Sequence, residues 1–410
     1  MRQHSLRNFA VKQFPAWAHP PLRKLEMLAL TATGSVLRHL PVRDASRTPP
    51  RGAAESLQYY AAEHAELATY HELYPAHTVV RRPPRTLGTT PLHPGFATEL
   101  SRRLPSAGVG VIRGGRVMTS MGAVITPDHH LINDVSHTGA GSNPYGHPLF
   151  SVARLPEPTL VKGRVAVITM YAGNLPGRPY YGHWLWDMLP RLHLLEKSGV
   201  SWDSLVVPQV ARYERESLKL LGLDKRIIAD QGLNLAAEEL VVPSLSGFPI
   251  GNYSAWACQW LRDRFLPMAP PPSAGQPRRL YISRAKAATR RMLNEAELVS
   301  ALAPLGFEPV LLEEYSFLDG VKLLRDAEAV VSPHGSNITN LVFCRPGTPI
   351  IEIFSPKYVT ACHYSMACQA GLDYGYVIGE GTVTRQQRVS ENITVNPAHV
   401  TALLGRMMKQ

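Results

Sequence analysis

Hydrophobic and polar positions change rhythm near residue 165. Upstream, residues 108–135 hold short β-rich runs, VGVI, RVMTS and GAVI, separated by Gly and Asp turns, which predicts a small antiparallel meander. Residues 55–73 read as a helix, followed by the extended loop RRPPRTLGTTPLHPG. Downstream, buried-strand runs alternate with helical patterns: VAVIT, a helix over 181–197 broken or kinked at Pro190, SLVVP, ARYERESLKLLG, RIIAD, ELVVP and a helix over Ala255–Phe265. The segment PMAPPPSAGQP, residues 267–277, has five prolines in eleven residues and supports neither a helix nor a central strand, so it reads as a linker. After it the alternation resumes: RLYIS, NEAELVSALAPLG, PVLLE, SFLDGVKLLRDA, AVVSP, a helix from about Asn337, PIIEIF and a helix within 357–369. Short apolar strands separated by helices predict a second parallel sheet. The expected fold class is therefore α/β, two doubly wound Rossmann-like domains with a small β-rich N-terminal region. The expected divisions are 1–51, 52–160, 161–266, the linker 267–277, 278–378 and 379–410.

Charge modifies this picture at one end. The 410 residues carry a formal charge of +11, and residues 1–51 hold nine Lys or Arg against Glu26 and Asp44. A Pro- and Arg-rich arm with a possible basic amphipathic helix over 21–40 suits an anionic membrane surface or simple packing on the body. Basic and aromatic residues are not interleaved as single-strand nucleic-acid binding needs, so no nucleic-acid partner is expected. No apolar run reaches the ~20 residues of a spanning helix, and MRQHSLRNF lacks the apolar core of a secretory signal. The expected location is cytoplasmic, with peripheral contact at the inner face of a membrane through the arm. Four cysteines without a CxxC pair read as reduced thiols. GVGVIRGG lacks dinucleotide spacing, and neither GxSxG nor GxxxxGK[ST] occurs, which removes the common hydrolase and NTPase signatures. Asp128, His129, His130 and Asp134 read as a turn between strands rather than a metal site.

The chemistry concentrates in two stretches. RRLYISRAKAATRRMLNE, residues 278–295, ends a strand in six cations, Arg278, Arg279, Arg284, Lys286, Arg290 and Arg291, with no acid before Glu295. AVVSPHGSNITNLVFCRPGTPIIEIF, residues 329–354, stops a strand at Pro333-His334-Gly335 and runs into a helix, leaving backbone N–H groups for a phosphate. Both fall where ligands sit in open α/β sheets, at the strands' carboxyl ends. Arg284, with Arg290 or Arg291, is the candidate phosphate fork. His334 and Gly335 offer close backbone approach, or a turn histidine satisfied locally. Ser336, Asn337 and Asn340 lie at the helix start, where they bind ligand or cap the helix. Glu352, in an apolar strand, accepts ribose hydroxyls or forms a buried ion pair.

These stretches carry a family resemblance. The YISR strand, the Asn-Glu helix start, SFLDGVKLLRDAEAVVSPHG, TNLVF, PGT, IIEIF and GHWLWDMLPRL at 182–192 resemble glycosyltransferase family 61, the capsular polysaccharide biosynthesis type, over roughly residues 165–356. The resemblance implies a GT-B fold in which 161–266 takes the acceptor, 278–378 takes the nucleotide sugar, and a last helix over about 397–408 crosses back to the first domain. It also implies inverting transfer of a sugar from a nucleotide donor, with UDP the expected nucleotide, to a glycan or glycolipid hydroxyl in surface polysaccharide synthesis. Family members often show Ala-Gly-Leu where this chain has Ser336-Asn337-Ile338.

Such a transfer must neutralise a departing diphosphate and remove the acceptor's proton. No Asp-x-Asp pair occurs, so arginine and helix N-termini are expected to do the first without metal or other cofactor. His183 and Asp187, four apart, share a helix face, and His183 is the expected base with Asp187 orienting it. The bland reading of His183 is a histidine at the edge of a core helix rich in tryptophan. Tyr180, Tyr181 and Trp186 are alternative sugar-stacking rings. A non-catalytic nucleotide-sugar or glycan-binding protein is the alternative function.

Overall fold

The computed structural model describes residues 44–88, 91–136, 144–170, 174–175, 178–179, 181–208, 211–247, 251–276, 278–381 and 391–408. Most of the basic arm, including the 21–40 segment, and Tyr180 lie outside the described residues.

In the C-terminal half, five strands lie parallel in the order Phe307–Val310, Arg279–Ile282, Ala329–Pro333, Pro349–Phe354, Asp373–Ile378. Side chains alternate between the faces. Leu280, Ile282, Val330 and Ile350 join the helices Phe317–Arg325, Ser336–Phe343 and Cys362–Gln369 on one side. Tyr281, Val331, Ile351 and Ile353 meet Glu295–Leu302 and Pro397–Met407 on the other. The second strand in sequence lies outside the first and the third lies inside it, so the order reverses between Arg279–Ile282 and Ala329–Pro333. That reversal is the switch point where such sheets bind ligands.

In the N-terminal half, the expected boundary at 160 does not divide two sheets. One ten-stranded mixed sheet runs Gly52–Ala54, His130–Ile132, Ala123–Ile125, Arg116–Met118, Asn234–Pro243, Pro158–Val167, Ser204–Val207, Ile227–Ala229, with Ala68–Tyr74 and Ala107–Arg113 attached. The ten-residue strand Asn234–Pro243 fuses the meander to the parallel part. It pairs antiparallel with Ala107–Arg113 and Arg116–Met118 and parallel with Pro158–Val167. Only Leu57–Glu63 of the predicted 55–73 helix is helical. Residues Ala68–Tyr74 are a strand instead, because Ala107–Arg113 offers a pairing edge that overrides local propensity. Asp128 sits in the expected turn, accepting from the Tyr60 hydroxyl at 2.6 Å and from Thr126. Among the described residues 267–276 there is no helix or strand, as the prolines predict.

The expected return of the last helix is corrected. Pro397–Met407 buries Val400, Leu403, Leu404 and Met407 against the C-terminal sheet and Glu295–Leu302, since that is the apolar face open to its own apolar stripe. The chain crosses in the other direction. Residues after His77–Val80 run along the C-terminal sheet, where Arg85 bridges Gly375 and exchanges backbone hydrogen bonds with Tyr374 and Tyr376. Phe96 is fully buried there, stacked on Tyr376 with ring centroids 4.3 Å apart and edge-on to Phe354 and Tyr364. Removing that ring leaves a cavity under the crossing. Phe96→Ala is expected to destabilise the protein by about 3–5 kcal/mol in urea unfolding, whereas a loss below about 1 kcal/mol would show that the crossing segment is only surface decoration.

Candidate active site at the junction of the two sheets

The six cations separate once folded. Arg278 and Arg279 pair with Glu328 at 3.2 and 3.4 Å, at the start of their strand, and Lys286 pairs with Glu314. Arg291 is exposed, and its backbone pairs with Asn392 and Ile393. Arg284 and Arg290 are left at the switch point. Arg284 is buried and makes no ion pair among the described residues. Its Nε and Nη2 donate to the carbonyls of Arg290 and Thr289 at 3.2 and 2.9 Å, which fixes the loop after the strand. Burial, with Arg290 nearby, draws its guanidinium down to about 10, still charged at neutral pH. Arg290 has a left-handed backbone, φ 56°, and lies 5.6 Å from the Tyr358 ring.

Gly335 is required by space. Its backbone is extended, but a Cβ there would come within 1.8 Å of Arg284 Nη1. The missing side chain lets the guanidinium lie on the strand end, directly before the helix Ser336–Phe343 whose first N–H groups face outward from it. Arg284 and Gly335 are therefore brought together, as expected, and Ser336 and Asn337 follow in the same turn. Asn337 donates to Glu313 at 3.0 Å.

His334 and Glu352 meet behind this cradle. Glu352 is fully buried, and its Oε1 accepts from Nδ1 of both His334 and His363, at 2.5 and 2.6 Å, while Oε2 accepts from the Tyr374 hydroxyl. Glu352 is thus the buried ion-pair partner rather than a carboxylate open to ribose. Burial pushes the Glu352 carboxyl up, yet His363 and His334 together bring it down to about 2. Burial takes His334 down to about 4 against the pull of Glu352. For His363 burial again opposes charge, but the Cys362 sulfur and the Glu352 carboxylate push it up to about 10. One proton therefore rests on His363, and neutral His334 donates its Nδ1–H. The ligating atoms of these three residues lie within 4.8 Å of one another, a grouping compatible with a metal, but the distances are those of hydrogen bonds to one shared oxygen. Sequence reasoning missed His363 and Tyr374. The signal was Glu352 itself, since a carboxylate in an apolar strand demands a cationic partner from the next helix.

On the other side of the junction stands the predicted dyad. Tyr181–His183 is helical, Trp184–Met188 widens into a π-turn with Leu189 N–H donating to Trp184 O at 2.9 Å, and Arg191–Ser198 resumes the helix beyond Pro190. Within this turn His183 Nδ1 lies 2.7 Å from Asp187 Oδ2. Asp187 is fully buried, whereas the His183 side chain is 28% exposed. Arg191 does not join them. Its three guanidinium nitrogens donate to the carbonyls of Pro243 and Thr169. Tyr253, buried, faces Asp187, and its hydroxyl is held well above its usual range by burial and that carboxylate.

The two halves are locked at this point. Trp186 Nε1 donates to Thr339 O at 3.1 Å, Tyr181 donates to Asn340 Oδ1 at 2.5 Å, and a Cβ on Gly182 would lie 3.1 Å from Thr339. Arg262 donates to the carbonyls of Val342 and Cys344 at 2.6 and 2.7 Å, closing the far end of the same helix. Asn340 is consequently an inter-sheet tether, and Trp186 is core rather than a sugar platform.

Together these features describe an α/β protein in which Arg284 lies on Gly335 at a sheet's switch point, and the turn carrying a histidine–carboxylate pair docks on the helix that follows. Residues 181–351 match the protein-family model described as Glycosyltransferase 61, so this stretch is similar to that family. Among curated relatives, "Protein O-linked-mannose beta-1,4-N-acetylglucosaminyltransferase 2" of Homo sapiens is 36% identical over 111 residues, covering 24% of this chain and 19% of that protein. The Mus musculus protein of that name shows the same identity and coverage. The Tetraodon nigroviridis one is 32% identical over 126 residues, 28% of this chain and 22% of the relative. The chain thus spans about a fifth of the length of these relatives.

The buried charges predict a pH profile. Glu352, lowered, contributes stability that is lost as pH falls from its ordinary value of 4.5 towards about 2; His334, also lowered, loses its contribution from 6.5 down through about 4. His363, raised, loses its contribution as pH climbs from 6.5 through about 10. Urea midpoints measured from pH 4 to 9 should peak near the middle. Glu352→Gln should flatten that peak and cost about 3–5 kcal/mol there, by stranding a buried imidazolium, and an unchanged profile would contradict the network.

Proposed function

We propose that this chain is an inverting glycosyltransferase that uses a nucleotide sugar, with the half built on the mixed sheet acting as the acceptor lobe and the half built on the parallel sheet as the donor lobe of a GT-B enzyme. The observation that carries this reading is the docking of the His183–Asp187 turn onto the helix that starts at the Arg284–Gly335 cradle. The acceptor hydroxyl gives its proton to His183 while its oxygen bonds to the anomeric carbon. The bond from that carbon to the phosphate oxygen breaks, and its electron pair leaves with the diphosphate. Asp187 holds the imidazole by Nδ1 and stabilises the imidazolium that results. Arg284, Arg290 and the N–H groups from Ser336 onward neutralise the leaving group, so a divalent ion is not required. UDP is the expected nucleotide. The relatives' printed name makes N-acetylglucosamine the first sugar to test and a glycan hydroxyl the acceptor. A glycolipid acceptor, surface polysaccharide synthesis, and a cytoplasmic site of action beside a membrane belong to the same proposal. Among the described residues no helix is long and apolar enough to cross a membrane.

A non-catalytic sugar-nucleotide binder would need the cradle but not the dyad. His183→Ala therefore separates the two readings. Turnover in a donor-dependent transfer assay is expected to fall by about 10²- to 10⁴-fold with nucleotide affinity retained. Unchanged turnover would remove His183 from the mechanism.

A further inference from the structure

A pocket of about 180 Å³ opens at the junction, between the helices Arg212–Leu220 and Phe317–Arg325. Tyr181, Tyr213 and Glu216 line it from one half, and Glu313, Gly320 and Asn337 from the other. Three independent features mark it as built for a ligand. The Tyr213 hydroxyl is buried at its wall with no hydrogen-bond partner among the described residues. A phenol in that condition loses its hydration and regains nothing until a guest arrives. Gly320, though buried within a helix, has nothing within 4 Å of where its Cβ would be, so the absence of a side chain leaves open space. The rings of Tyr181 and Tyr213 meet edge to face, centroids 4.8 Å apart at 86°, and form a stiff aromatic corner.

Size and charge narrow the guest. Pockets for drug-sized ligands run from about 300 Å³ upward, so this one takes a single ring rather than a nucleoside. Its charged wall is Arg212, already bonded to Glu216 at 2.5 Å, with Glu313 bonded to Asn337 at 3.0 Å, a net excess of one carboxylate. That excess repels phosphate and suits hydroxyl donors. Position narrows it further. Asn337 is two residues beyond Gly335 of the cradle, and Tyr181 is two residues before His183. A group lying between leaving diphosphate and base is the unit being transferred.

We propose that this pocket holds the neutral pyranose ring of the donor, with Tyr213 hydrogen-bonding a ring hydroxyl or acetamido group and Gly320 setting the size limit. The proposal rests on the glycosyltransferase reading above. The test compares UDP with UDP-N-acetylglucosamine, and with UDP-glucose and UDP-xylose in parallel, by calorimetric titration of wild type, Gly320→Leu, Gly320→Ala and Tyr213→Phe. Gly320→Ala should fold at least as stably as wild type, because alanine is the better helix residue, and it serves as the folding control. Gly320→Leu should weaken the preferred UDP-sugar by about tenfold or more while leaving UDP binding as in wild type. Tyr213→Phe should weaken it by about three- to tenfold, again without affecting UDP. Sugar affinities unchanged in both variants, equal losses for UDP and UDP-sugar, or an effect confined to the acceptor KM would each overturn the assignment. Wild type that binds none of the four probes would instead overturn the nucleotide-sugar reading beneath it.

Discussion

The hydrogen bonds from Trp186 to Thr339 and from Tyr181 to Asn340 are the constraint on which the site depends. They tie a turn of one half to the helix that begins at the other half's strand ends. The helix is held from the same side at its far end by Arg262. Phe265 packs edge-on to Phe317 with centroids 4.8 Å apart, so an apolar core runs through the junction beneath these polar ties. A buried indole N–H left without its carbonyl would lose on the order of 1–3 kcal/mol, which resists any drift of the two halves relative to each other. The turn that carries His183 is thereby held on the helix Ser336–Phe343 by packing as well as by hydrogen bonds.

Behind the cradle, the protein accepts a concentration of buried charge. Arg284 lies under Gly335 with carbonyls for partners instead of a carboxylate, while the Glu352 carboxylate is consumed by two histidines and a tyrosine. Had Glu352 faced Arg284, the two would have cancelled, and the strand ends would attract no anion. Separating them leaves a positive guanidinium where a diphosphate is proposed to sit and a satisfied ion pair beneath it. Burial is therefore used in opposite senses within one sheet.

Much of this was legible in the sequence because it is local. The apolar four- to six-residue runs separated by helical patterns specify parallel strands, and a strand that stops at Pro333-His334-Gly335 announces its carboxyl end. The four-residue spacing of His183 and Asp187 survives the π-turn that Pro190 follows. What sequence did not reveal depends on contacts between distant segments. Ala68–Tyr74 becomes a strand because Ala107–Arg113 is beside it, Arg85 crosses to a strand near residue 375, and Pro397–Met407 stays on the sheet it follows. The partition of six cations into structural pairs and site residues was likewise hidden, since Glu328 and Glu314 reach Arg278, Arg279 and Lys286 only after folding.

The most direct test of the account is the structure of the protein bound to a nucleoside diphosphate. Diphosphate oxygens within hydrogen-bonding distance of the Arg284 guanidinium and of the Ser336 backbone N–H, on the side of the junction that His183 faces, are the predicted result. A nucleotide seated elsewhere, with Arg284 still engaged only by the carbonyls of Thr289 and Arg290, would contradict it.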